Sequence, residues 1–481
     1  MKRLLPATAH PRHDWLAEAR ASLDLSSQLL LGQVSLMLMP VMDLLTLAPL
    51  GAPALAAAGL LNSITALFLL FCFGVMQAMA PLAGAALGSP SGRALARQIL
   101  GHGLTLSTAM GLLGALAMQA FLRALPALGQ DPAVTQLASA YGPALSLALL
   151  PAAWLCAWRV GYPLLGQARP LARILLACAL LHGLANVLLV HGWPPREGLG
   201  IQGLGWSYLL SYGLAAALLA WHDRKAAVPS TPMPTPTPTP TPTPPDDATA
   251  ARRWILRLLS IGLPIGAVMA IEYTLFAGST LLMGRHGSLA LAAHAVCLQW
   301  VTLSFIIPLA MSNTVLTRLS LAIGKEDPDE IHRVVVVACT IAAAFHAVMG
   351  ACCLLMPAPM AQWMLPAASP DRAAMLDLAV PMLQLAGLLQ TFNGLSVVLA
   401  AVLRACRDTR APLLQVFAGY WLAGLGSAWL LAQTQGPLGI WQGMCLGFGL
   451  TFVVLLRRVR RRLLHLTDLL PQPESAHAQS R

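Results

Sequence analysis

The run IGLPIGAVMAIEYTLFAGSTLLMG, from Ile261 to Gly284, is apolar for long enough to cross a bilayer, which takes about 20 helical residues, and carries one carboxylate, Glu272, near its middle. An ionisable side chain at the centre of a membrane helix costs about 2.5–3.5 kcal/mol on insertion scales, so it is expected to face a cavity or a partner and to mark a functional position. The rest of the chain reads the same way. With 57% hydrophobic and 10% charged residues it lies well outside the range of soluble globular proteins. Twelve apolar segments can be marked, at 24–49, 54–80, 97–123, 134–162, 168–192, 199–221, 254–284, 288–318, 333–357, 375–403, 411–433 and 437–456. The expected fold is an all-α integral membrane protein with twelve transmembrane helices. Of the 19 acidic residues, only Asp43 and Glu272 sit well inside an apolar segment.

A formal charge of +11 would suit a nucleic-acid binder, but the positions of the basic residues argue against one. With both termini cytoplasmic, 26 of the 30 Lys and Arg fall on that side and only Arg123, Arg196, Arg285 and Arg372 fall outside, the positive-inside pattern. The cluster RRVRRR, Arg457 to Arg462, then reads as an orientation signal against anionic headgroups. The N-terminal stretch lacks a short apolar core followed by a small-residue cleavage site, so no cleaved signal peptide is expected. The nine cysteines are scattered without a CxxC pair, which suggests neither a disulfide frame nor a zinc site.

The sharpest internal boundary is VPSTPMPTPTPTPTPTPPDD, Val228 to Asp247, whose alternating Pro and Thr favour an extended tether. It divides the chain into a cytoplasmic N-terminal segment (1–23), a six-helix lobe (24–221), a cytoplasmic Pro/Thr-rich linker (222–253), a second six-helix lobe (254–456) and a basic cytoplasmic tail (457–481). The halves echo each other. LAAAGLLN (55–62) matches LAAHAVCL (291–298), GQARPLARIL (166–175) matches RDTRAPLLQV (407–416), and LGIQGLGW (199–206) matches LGIWQGMC (438–445). Repeats in the same order predict two pseudo-symmetric lobes related by an axis along the membrane normal, with a substrate path between them. Pro40, Pro81, Pro151, Pro264, Pro308 and Pro381 interrupt spans, which membrane helices tolerate where neighbours or cavity water satisfy the freed carbonyls.

MPVMDLLTLAPLGAPALAAAGLLNS (39–63), GLPIGAVMAIEYTLF (262–276), HGSLALAAHAV (286–296) and the RDTRAP turn resemble the multidrug and toxic compound extrusion family in its NorM-like branch, over nearly all twelve spans. The resemblance implies a secondary active antiporter of the bacterial inner membrane that exchanges protons or sodium for amphipathic, mostly cationic small molecules by alternating access, as a monomer and without a cofactor. It also implies that Asp43 and Glu272 are the coupling or substrate-binding carboxylates. In span ten the family's aspartate before a glycine corresponds to Asn393 in TFNGLSVVLAAVLR, and in span five the family's polar pair corresponds to His182 and Asn186 in LLHGLANVLLVHG. Sodium held by Glu272 and Asn393 is one alternative. Loss of the second negative charge at Asn393 favours protons.

A drug/proton exchanger needs one group at which proton and substrate exclude each other, and a carboxylate in low dielectric fills that role. His182 and Asn186 lie one helical turn apart and face the same way, so if span five faces Asp43 an Asp, His and Asn cluster forms. Histidine titrates near neutral pH. Candidate cavity walls are Tyr273, Phe276 and Phe392, together with the polar residues Gln390, Gln33 and Asn62 and the deformable Met37, Met39 and Met42. His294 reads as structural. A lipid-linked precursor flippase is the alternative. It would need a cavity rich in Arg and Lys, and no basic residue is expected deep within a span. Phosphate-binding loops and HExxH or GxSxG signatures are absent from the sequence, so no enzymatic function is expected.

Overall fold

The computed structural model describes residues 11–88, 92–193, 196–227, 247–364 and 371–465. The Pro/Thr-rich stretch and the chain ends lie outside the described residues. Fifteen α-helices follow in order: α1 (Pro11–Leu47), α2 (Ala52–Met76), α3 (Met79–Leu87), α4 (Gly92–Ala124), α5 (Pro132–Leu164), α6 (Ala168–Asn186), α7 (Ile201–Ala227), α8 (Asp247–Gly284), α9 (Ser288–Gly324), α10 (Pro328–Leu355), α11 (Pro357–Met364), α12 (Arg372–Ala405), α13 (Arg410–Phe417), α14 (Gly426–Gln435) and α15 (Pro437–Leu464). Two π-helical turns, Val187–His191 and Ala418–Leu425, widen the ladder after α6 and α13. A two-residue hairpin pairs Gly192–Trp193 with Arg196–Glu197. Taken together, these helices make 12 stretches long and apolar enough to cross a membrane.

The surface suits hydrocarbon better than water. Leu45, Leu113 and Leu281 are 70%, 67% and 77% exposed, whereas Ser107, Ser207, Ser211 and Ser279 are buried. Large aliphatic groups outside and small or polar groups at helix contacts are what membrane packing selects, because lipid gives leucine no reason to hide and small residues let backbones approach.

The chain forms two compact units. The N-terminal unit comprises Gln28–Phe276 and Arg407–Phe417, and the C-terminal unit comprises the remainder, including residues 11–27 of α1. Each long helix α1 and α8 is therefore divided between units. For α8 the cause lies in its GLPIG stretch, where glycines meet α2. A Cβ on Gly74 would come within 2.6 Å of the Gly266 Cα, and one on Gly262 within 2.4 Å of the Val75 carbonyl oxygen. For α1 the cause is a polar seam with α9 in the C-terminal unit. Glu18 accepts from Arg318 Nε at 2.7 Å and Nη2 at 2.5 Å, Ser22 donates to Glu18 at 2.9 Å, and Ser26 and Thr314 share a hydrogen bond of 2.8 Å. The RDTRAP turn belongs to the N-terminal unit, where Arg407, at a left-handed φ of 59°, donates to the Pro81 carbonyl at 3.1 Å.

Candidate substrate- and ion-binding site

In the N-terminal unit Asp43, 2% exposed, is enclosed by polar groups from three other helices. Its Oδ1 accepts from Asn186 Nδ2 at 2.9 Å and lies 2.8 Å from His182 Nε2. Its Oδ2 accepts from the Tyr208 hydroxyl at 2.5 Å and from Asn62 Nδ2 at 3.2 Å. Asn62 is itself oriented by the Tyr141 hydroxyl, which donates to its Oδ1 at 2.7 Å. The helical repeat places His182 and Asn186 on one face of α6, and the π-helical turn begins directly after Asn186. The Tyr208 ring packs on His182 with centroids 4.3 Å apart and on Tyr212 at 5.5 Å.

An ionised carboxylate only accepts, at about four lone-pair sites, and four groups able to donate converge on this one. With Nε2–H directed at Asp43, the His182 Nδ1 is a bare acceptor. It and the Asn186 Oδ1 are buried without a hydrogen-bond partner among the described residues. Unpartnered buried acceptors are costly, so these two atoms are the places where the cage can receive the N–H of a ligand.

The other sequence candidates are spread over both units. Gln33 accepts from Arg159 Nη2 at 2.6 Å. The Tyr273 hydroxyl donates to the Ser63 carbonyl at 3.3 Å, tying α8 to α2. Glu272 and Phe276 are half-buried in the N-terminal unit, each engaged with neighbours. Of the methionines near Asp43, Met39 is fully buried, while Met37 and Met42 are half-buried. In the C-terminal unit the Gln390 amide donates to the Val301 carbonyl and, at 2.6 Å, to Ser304 Oγ. Phe392 packs on Phe452 with centroids 5.8 Å apart, and Asn393 is 1% exposed, its Oδ1 without a partner among the described residues. His294 lies 3.3 Å from Thr280 Oγ1, with its ring 5.4 Å from that of Trp441.

Three contributors were not anticipated. Tyr208 and Tyr141 carry no motif; the only hint is the spacing of Tyr208 and Tyr212, one turn apart in a span otherwise poor in polar groups. Arg159 escaped notice because it lies toward the end of its span, five residues before the end of α5, as Arg318 and the buried Arg404 lie toward the ends of α9 and α12. The cage is also a property of one half. In the registers set by the repeats, Asp43, Asn62, His182, Asn186 and Tyr208 correspond to Ser279, Leu298, Ala423, Ser427 and Gly447, which cannot rebuild it.

Twelve apolar helices, an internal repeat and a buried carboxylate ringed by donors are the features of a multispanning transporter. The sequence profile of the MatE family matches residues 29–188 and 264–430, and the chain belongs to that family. It is 31% identical over 91% of its length to a probable multidrug resistance protein NorM of Pseudomonas putida, covering 93% of that relative. It is 29% identical over 96% of its length to the protein of the same name from Synechococcus, of which it covers 98%. Among solved structures, the Vibrio cholerae MATE transporter VcmN in its bent form has a TM-score of 0.80 at 17% identity, over 96% of this chain and 100% of that one. The eukaryotic MATE transporter AtDTX14 has a TM-score of 0.76 at 20% identity, over 94% of this chain and 99% of that one.

Proposed function

We propose that the protein is a multidrug efflux antiporter that expels amphipathic, mostly cationic small molecules in exchange for protons, with the Asp43 cage as the group at which proton and passenger compete. The carrying observation is the convergence of Asn186, Tyr208, Asn62 and His182 on one buried carboxylate. Four donors hold Asp43 ready for charge while no cation is present. A proton taken up by the cage neutralises the Asp43 carboxylate. An ammonium or other N–H cation can offer its hydrogens to the two open acceptors and to the carboxylate instead. Each ligand meets the same atoms, so occupancy by one weakens the hold on the other, as exchange requires. The names of the relatives support drug export and do not favour the flippase alternative.

Glu272 keeps its proposed part as a second coupling carboxylate, and the neutral amide of Asn393 favours protons over sodium. Within this reading the protein works as a monomer in a bacterial inner membrane, with both termini cytoplasmic. The test is proton-driven efflux of ethidium from everted vesicles. Asp43→Asn abolishes it while the protein remains folded, because a carboxamide can neither pair with a cation nor exchange a proton. Normal efflux by that variant overturns the assignment.

A further inference from the structure

Apart from the Asp43 cage, the N-terminal unit holds a second charged position, of opposite sign. Arg159 lies on α5, five residues before its last residue, Leu164. Its Nη2 donates to Gln33 Oε1 of α1 at 2.6 Å, and its guanidinium lies 4.3 Å from the centroid of the Phe73 ring of α2. Neither partner is charged, and among the described residues no carboxylate pairs with it. The contrast with Arg318, whose guanidinium is held by Glu18 through two nitrogens, shows what a structural arginine in this protein looks like. A guanidinium has five N–H donors in a planar fork that matches a carboxylate, and here one of the five is used. The side chain is half-buried, and none of its nitrogens is sealed away without a partner, so the remaining donors open onto accessible space.

The position is joined to the cage. Tyr212, one turn beyond Tyr208 on α7, lies within electrostatic reach of both Asp43 and Arg159. Gln33 and Asp43 are ten residues apart on α1, about 15 Å at the rise of an α-helix, which is too far for one compact ligand to touch both. An arginine this near a helix end ordinarily reaches out to the headgroups, but Gln33 and Phe73 hold this guanidinium against the neighbouring helices instead.

We propose that Arg159, braced by Gln33 and Phe73, is an anion-holding station for the carboxylate of amphipathic passengers, separate from the Asp43 cage. It gives the carboxylate end of such passengers a residue of its own, and in that respect rests on the reading above. Gln33 and Phe73 fix the edge and face of the guanidinium, so the free fork is already oriented when the carboxylate arrives and little rotamer freedom is lost on binding.

The test uses two dyes that differ by one methyl ester, rhodamine 123 and its free acid, with binding to the purified full chain followed by fluorescence anisotropy. The wild-type protein is expected to bind both. Arg159→Gln is expected to weaken the free acid by about tenfold or more and to leave the ester within about twofold, with Arg159→Lys falling between. Thermal unfolding of each variant separates loss of fold from loss of the station. Equal loss of both dyes by folded Arg159→Gln, no loss of either, or failure of the wild type to bind the free acid overturns the station. Efflux of rhodamine 123 by the wild type in everted vesicles tests the exporter reading separately, so the two can fail independently.

Discussion

Replacing Tyr208 by Phe removes one atom from the cage and keeps the ring that packs on His182 at 4.3 Å and on Tyr212 at 5.5 Å. That atom is the shortest donor to Asp43 Oδ2, at 2.5 Å, and it leaves Asn62 at 3.2 Å as the remaining donor to that oxygen. A hydrogen bond to a charged group contributes about 1.5–3 kcal/mol, and this one favours the carboxylate form alone. Without it the protonated form gains by that amount. At 1.36 kcal/mol per tenfold, the cage holds its proton about 10- to 100-fold more tightly. A donor to the charged form is lost, so proton release needs a higher pH. The expected outcome is a pH profile of dye efflux displaced upward by about one to two pH units, with the maximum retained because Asp43 is still present. The assay is quench-monitored efflux from everted vesicles at a series of bath pH values, with thermal unfolding as the control for fold. An unchanged midpoint in a folded Tyr208→Phe protein would mean that Asp43 is not the proton-exchanging group.

Other expectations follow from different parts of the molecule. Glu272→Gln should abolish proton-driven efflux while leaving the fold intact, and dye efflux at fixed pH should respond little to sodium; a steep sodium requirement would contradict the part given to Asn393. Gly394→Ala should destabilise the protein by about 1–3 kcal/mol, read as a lower unfolding midpoint, because a Cβ there would lie 1.6 Å from the buried His346 Nε2. His346→Ala should restore much of that loss if the contact is its cause. Arg318→Ala should cost about 3–5 kcal/mol by leaving Glu18, 6% exposed, without its guanidinium, whereas Lys325→Ala, breaking the exposed pair with Glu330, should stay within about 1 kcal/mol. Equal effects of the two in a thermal-unfolding assay would remove the distinction between the pairs.

The sequence alone was enough for the twelve spans, because lipid demands apolar side chains and internally satisfied backbone along each one, and that demand is written locally in runs such as Ile261 to Gly284. It also singled out Asp43, since a carboxylate in an apolar run is a local signal, whereas His182 and Asn186 came from the resemblance to the family's polar pair in span five. What the tertiary structure decided was which groups reach that carboxylate. Tyr141 and Tyr208 lie 98 and 165 residues after Asp43, and a tyrosine in a span looks the same whether it donates to an acid or touches lipid. The division of α1 and α8 between units likewise depends on partners far along the chain, Arg318 for Glu18 and Gly74 for Gly266. Arg159 falls in the same class. Its charge was visible near the end of a span, but only the approach of Gln33 and Phe73 from two other helices distinguishes a braced guanidinium from one reaching out to the headgroups. Span formation rests on contacts with the solvent, which composition records, whereas the sites rest on contacts between distant segments, which exist only once the helices have packed.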